Sequence, residues 1–414
     1  MNISSKERNV LRTLAGRVRE ISTLPVMAER RRLWYRHNAL KGERPLVLSF
    51  PEGAWDEIAP ASLCECEDAL LRGWEYSLRQ RIYMHEVIND DNVIEPFLDI
   101  EFGMWRGDVG FPAKHTHGAN RGSFVWEPPI KDLAKDIPRL KPCDFTFDKA
   151  AWQRKFEIAH DIVGDIITPR PWSKFMLSMS APPRAVHLLG VEYYSLAMYD
   201  VPELLHELMR FLMNEDARYI EYLEHEGLLW LNNGDDYVGS GGIAYTDELP
   251  QKDHRPGMPV RLRDVWGSAQ AQDTLGISPD MFREFILPYQ QPLMERFGLS
   301  SYGCCEPLDK RLDALFTVKT LRRIAVSPWA DQDVCAAKMG TKYIFSRKPN
   351  PTMVCAQFNE NEIHEDIRKT LAIAGTLTLE IILKDTHTVQ NDTRRIPQWV
   401  AIAREEIDAY CSRR

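Results

Sequence analysis

The sequence predicts an α/β protein, a (β/α)8 TIM barrel with an N-terminal helical extension and a long insertion in the fourth-strand region. Three observations carry this prediction. Short apolar strands alternate with amphipathic helices through the second half of the chain, the pattern of a parallel sheet covered by helices. Five consecutive strand–helix units at about 25 to 40 residue spacing favour a closed barrel over an open sheet. Polar and metal-competent side chains also gather at the ends of successive strands, where a barrel carries its chemistry. At 414 residues, 44% hydrophobic and 27% charged, the chain can bury a large core without disulfides, and disordered and fibrous classes are excluded.

In chain order, MNISSKERNVLRTLAGRVRE is charged at helical spacing and lacks the apolar stretch of a secretion signal, so residues 1–40 read as a helical extension and 41–414 as the barrel. RPLVLSFPEGAW supplies the first strand. Over 201–226, Leu204, Leu205, Leu208, Phe211, Leu212, Tyr219, Ile220 and Leu223 share a helical face that Gly227 ends. LLWLNNG then reads as a buried strand, and the Gly- and Pro-rich run over 239–262 as a long functional loop. Ser278 and Pro279 open a helix that Pro288 should kink and Gly298 stop. The net charge of −8 gives no general attraction to nucleic acid, and no apolar run approaches the roughly 18 residues of a membrane span. The expected compartment is the cytosol, where the eight cysteines stay thiols.

The strand ends carry Asp235 and Asp236, then Tyr302, Cys304, Cys305 and Glu306, then Trp329 and Asp331, then Arg347, Lys348 and Asn350, then Lys384, Asp385 and His387. Catalytic zinc takes three thiolate, imidazole or carboxylate ligands and keeps a position open. Cys304, Cys305 and His387 are the metal-ligand candidates, with Asp385 placed to orient the imidazole. Adjacent cysteines face one ion only if the backbone turns, so one of the two is the safer ligand, and a pair of packed thiols is the competing reading. Asp236 and Glu306 are the candidate acids. Asp235 and Asp236, beside Asn232, Asn233 and Gly234, equally suit turn chemistry. His115 and His117 have a strand pair's spacing but sit among loop residues, and Cys64 and Cys66 begin what reads as a helix, where i and i+2 do not face each other. No nucleotide cradle, GxSxG elbow or HExxH helix is present.

DTLGISPDMFREFILPYQQPLMERFGLSSYGCCEP, PWAD, SRKPNP and DTHTV together resemble the uroporphyrinogen decarboxylase superfamily, in particular its corrinoid-dependent methyltransferase-like members, over residues 180–410. The resemblance implies a barrel with its site in the mouth, a zinc ion, and methyl transfer from a small methoxylated or methylated donor to a corrinoid (cobalamin) protein. The methyltransferases of the superfamily carry a His-x-Cys motif; Cys304 matches its Cys, Tyr302 stands where its His would be, and His387 matches the late ligand. Cys305 or Glu306 would then replace the lost His. Tetrapyrrole decarboxylation is the alternative, although no arginine cluster follows RPLVLSFPEGAW to hold several carboxylates. Non-catalytic tetrapyrrole or corrinoid binding is a third reading.

Overall fold

Ser4 starts the first helix by accepting from the Glu7 amide, while the Glu7 carboxylate accepts the Ser4 amide in return, a reciprocal cap that satisfies two otherwise unpaired N–H groups. The structure, a computed structural model, describes residues 3–117, 124–173, 177–179 and 181–413. Helices α1 (Ser5–Ser22) and α2 (Pro25–Asn38) precede strands β1 (Leu46–Ser49), β2 (Phe97–Glu101), β3 (Thr168–Trp172) and β4 (Ser178–Met179). Helix α3 (Pro202–His225) leads, through a long loop, to β5 (Trp266–Ala269). Then come α4 (Pro279–Phe285), α5 (Leu287–Met294), β6 (Leu299–Tyr302), β7 (Leu321–Val326), α6 (Gln332–Met339), β8 (Ile344–Arg347), α7 (Glu360–Ala374), β9 (Leu379–Leu383) and α8 (Arg395–Cys411).

The sheet is parallel and seven-stranded, in the order β1-β9-β8-β7-β6-β5-β4, and β2 pairs in parallel with β3 as a separate two-stranded unit. Mixed α/β architecture is therefore what the described residues show. Every residue of β1, β5, β6, β8 and β9 is buried, because helices cover one face and side chains fill the other. The inner face is unusually polar. Glu380 of β9 lies opposite Ser346 of β8 in the register and accepts its hydroxyl at 2.5 Å, while Arg323 of β7 reaches Glu380 at 3.0 Å.

The N-terminal helices complete this interior. His37 Nε2 lies 3.1 Å from Glu380, and the Asn38 amide donates to the Ile243 and Tyr245 carbonyls while its oxygen accepts from Arg323. Residues 1–40 thus end inside the sheet that the rest of the chain forms.

Several expectations meet a different local answer. LLWLNNG forms no strand; the Asn232 side chain instead bonds both the N–H and the C=O of Trp266, doing for β5 what a backbone neighbour would. Cys64 and Cys66 precede their helix, in a loop whose Glu65 and Cys66 amides donate to the buried Glu75 carboxylate. His115 and Thr116 lie in a hairpin, 114–117 with 124–127, whose connection lies outside the described residues. The helix from Pro279 breaks between α4 and α5 at Ile286, two residues before Pro288, whose missing N–H and ring disrupt the preceding turn. The 239–262 run folds inward: Ser240, Ile243, Ala244 and Tyr245 are buried.

Candidate functional site

Two cavities open at the carboxyl ends of the strands. The larger, about 480 Å³, is lined by Phe50, Trp55, Arg81, Asp99, Arg170, Trp172, Trp230, Asp235, Asp236 and Tyr237, among others. The smaller, about 190 Å³, is lined by Ser240, Cys304, Cys305, Trp329, Lys348, Asn350, Thr352 and Asp385, among others. Lys384 lines both.

In the larger cavity the charges are mostly spent on one another. Arg170 reaches Asp99 at 2.5 Å and Asp235 at 2.7 Å, and Arg81 reaches Asp99 at 3.0 Å. Asp236 differs from its neighbours. One oxygen accepts from Trp230 Nε1 at 3.1 Å; the other is buried, makes no hydrogen bond and lies 3.6 Å from Arg170. Burial raises its pKa, Arg170 opposes and Asp235 assists, and the group ends at about 6. Such a carboxyl exchanges a proton near neutral pH.

At the smaller cavity, β6 is followed by Gly303, whose φ of +96° turns the chain so that both cysteines face one space. Their sulfurs lie 3.5 Å apart. Cys304 also accepts from the Ser240 hydroxyl at 3.3 Å, and the Cys305 thiol donates to Asp385 at 3.3 Å. The contact with Cys305 chiefly, then Ser240 and Lys384, draws the Cys304 thiol down to about 7, while the same pairing pushes Cys305 up. Glu306 is fully buried, with its two oxygens accepting from the Ala271 and Cys304 amides, both at 2.9 Å; it pins the cysteine turn.

His387 lies with Glu52 and Asp385, the ligand atoms of the three within 4.8 Å of one another. Among the described residues this is the group of three or more with metal-binding spacing, and the cysteines border it only through the Cys305–Asp385 contact. Glu52 (φ +43°) and Asp385 (φ +57°) both hold left-handed backbone, which costs a residue with a Cβ and is concentrated where a side chain must be aimed. Lys384 Nζ sits 3.2 Å from Glu52. Carboxylate, imidazole and nearby thiol donors are the types that zinc accepts. Tyr302 faces away from this group: its hydroxyl donates to Gln290 in the core.

Comparison with known proteins adds one result. Among solved structures, a methyltransferase from Methanosarcina mazei aligns with 90% of this chain and 97% of its own, at 12% identity and a TM-score of 0.53. The two share a fold. No family model and no curated protein matches the chain.

Four residues escape sequence reasoning. Glu52 follows the first strand, far from the other polar strand ends in number, and nothing in FPEG signals that it will meet DTH. Arg81 and Arg170 are scattered basic residues until the fold gathers them around Asp235. Ser240 sits in a glycine run that resembles a phosphate cradle, yet its hydroxyl serves a sulfur.

Proposed function

We propose that the protein is the methyltransferase component that moves a methyl group from a small methoxylated or methylated donor, held in the larger cavity, to a corrinoid carried by a separate protein. The observation that carries this reading is the junction at Lys384, where a chamber containing a proton-exchanging carboxyl, Asp236, adjoins one containing the paired thiols. The shared fold with a methyltransferase and the resemblance of the cysteine segment support it. We further infer that the sheet and the β2–β3 pair belong to one closed barrel of β/α units. The Asp90 and Asp91 carboxylates accept the Ser49 and Val47 amides of β1, and Asn232 bonds Trp266 of β5, so side chains serve backbone groups of the sheet where no strand does, which supports this reading.

The donors suit a zinc ion: Glu52, Asp385 and His387 have the spacing to hold it, and Cys304 and Cys305, which meet that group through the Cys305–Asp385 contact, are proposed with His387 as its ligands. Bound there, zinc supplies Lewis acidity toward a leaving oxygen. The chain's own residues do the rest. Trp55, Trp172, Trp230 and Phe50 enclose the donor and exclude water. Asp236, protonated, gives its proton to the leaving oxygen or nitrogen as the methyl departs, and Arg170 then steadies the carboxylate it leaves behind. Glu306 holds the cysteine turn in place.

The rival reading, decarboxylation of a tetrapyrrole with several carboxylates, needs unpaired cations in the cavity. Arg81 and Arg170 already face Asp99 and Asp235, which disfavours it. The test is metal analysis of protein purified without chelator, followed by methyl transfer from methoxyarenes and methylamines to Co(I) cobalamin. Stoichiometric zinc, transfer by the wild type, and loss of both in Cys304→Ala and His387→Ala are expected. Absence of zinc with no transfer from any donor would end the proposal.

A further inference from the structure

The smaller cavity contains a group that methyl transfer does not use. Lys348 leaves β8 at the cavity floor and is 5% exposed. Its ammonium donates to the Ser346 hydroxyl at 2.7 Å, and that hydroxyl donates to Glu380. The carboxylate nearest this chain is thus one atom removed, and it is already shared by Arg323 at 3.0 Å and His37 at 3.1 Å. Lys384 and Arg323 add like charge, and Cys304 acts from a distance. Burial chiefly, opposed by Glu380 and assisted by Lys384 and Arg323, draws Lys348 down to about 7.

A buried ammonium whose nearest carboxylate is shared with an arginine and a histidine is costly, and its remaining N–H donors need acceptors. The cavity in front of Lys348 also offers Asn350 and Thr352, which a type of Asx turn holds together: the Asn350 side-chain oxygen accepts from both the amide and the hydroxyl of Thr352. That leaves the Asn350 amide N–H₂ as a second donor beside the lysine. Prolines 328, 349 and 351 stiffen the wall, and the exposed Trp329 stands at its rim.

We propose that the 190 Å³ cavity is a binding site for a small monocarboxylate, whose charge pairs with Lys348. The site stands whether or not the chain transfers methyl groups. The same contact serves a free carboxylate or the carboxylate tail of a larger substrate whose other end reaches the cysteines.

The experiment is calorimetric titration of the full chain with acetate, its neutral isostere acetamide, and methoxyacetate. Acetate is expected to bind one to one and at least tenfold more tightly than acetamide. Lys348→Met keeps the side-chain length, removes the charge and is expected to weaken acetate by tenfold or more. Tighter binding of methoxyacetate than acetate places the carboxylate on a longer substrate; equal binding assigns the site to the free acid. Equal affinity for acetate and acetamide, or an undiminished affinity in Lys348→Met, overturns the proposal. If Lys348→Met does not fold, acetylation of Lys348 in the wild-type protein decides: acetate must slow it where acetamide does not. None of these readouts needs metal, corrinoid or turnover, so failure here is distinct from failure of the methyl-transfer reading.

Discussion

Asp236 shows at the residue scale how one unpartnered oxygen sets a group's proton affinity and its cost to the fold. Its pKa is raised from the ordinary 3.8 to about 6, so the folded state resists the charge that the unfolded chain accepts freely. The cost is absent below the unfolded value, grows as pH rises through the interval up to the folded one, and is complete above it, where it amounts to at most about 3 kcal/mol. Asp236→Asn keeps the acceptor for Trp230 and removes the charge. Thermal unfolding should therefore show the variant more stable than wild type at pH 8 and equal to it at pH 4, while methyl transfer falls by roughly a hundredfold or more. A variant with undiminished transfer would remove Asp236 from the proton-donor role. Glu306, an equally plausible carboxylate in the sequence, reads differently once its oxygens are seen on two backbone amides.

At the scale of elements, the inward loop after residue 238 packs tightly against the buried charges of the sheet. Gly242 has φ +91°, and a Cβ there would lie 2.6 Å from the Arg323 guanidinium and 2.7 Å from Glu380. Gly242→Ala therefore combines backbone strain with displacement of a buried ion pair, and a loss of about 3 kcal/mol in denaturant unfolding is expected. An unfolding midpoint equal to wild type would show that the pair tolerates displacement. The helices were legible because their signals are local. Ser278 accepts from Met281 as a cap, and Gly227 takes the left-handed conformation that ends α3. The strand expected at LLWLNNG was not legible, since its apolar run is the same whether a ladder or one asparagine side chain satisfies β5.

For the whole molecule, α1 fastens to the surface of the fold and the end of α2 enters the sheet's interior. Arg8 and Arg12 reach Asp161 and Asp165, Trp34 donates to the Asp91 carbonyl, and His37 and Asn38 close the polar cluster around Glu380 and Arg323. Deleting residues 1–40 should leave that buried pair without two of its partners, so the 41–414 fragment is expected to be insoluble or to unfold without a cooperative transition. A soluble fragment with wild-type circular dichroism and melting would assign the helices a peripheral place. Charge at helical spacing pointed to helix in this segment, where α1 and α2 lie, but a charged amphipathic helix in sequence does not disclose which surface it covers.

The sequence by itself determined the α/β alternation, most helix limits and the clustering of chemistry-bearing residues at strand ends, because each follows from periodicity, caps and breakers within a few neighbours. It also marked Cys304, Cys305, Asp385, His387 and Lys348 as residues to watch. Only the tertiary structure decided which of them meet. Asp385 joins Glu52 across more than three hundred positions, Arg170 finds Asp235, and Lys348 is left facing a cavity with its nearest carboxylate already shared. Partnership and solvation are properties of three-dimensional packing, and the same carboxylate or ammonium becomes an anchor, an acid or a binding group according to which charges the fold places around it.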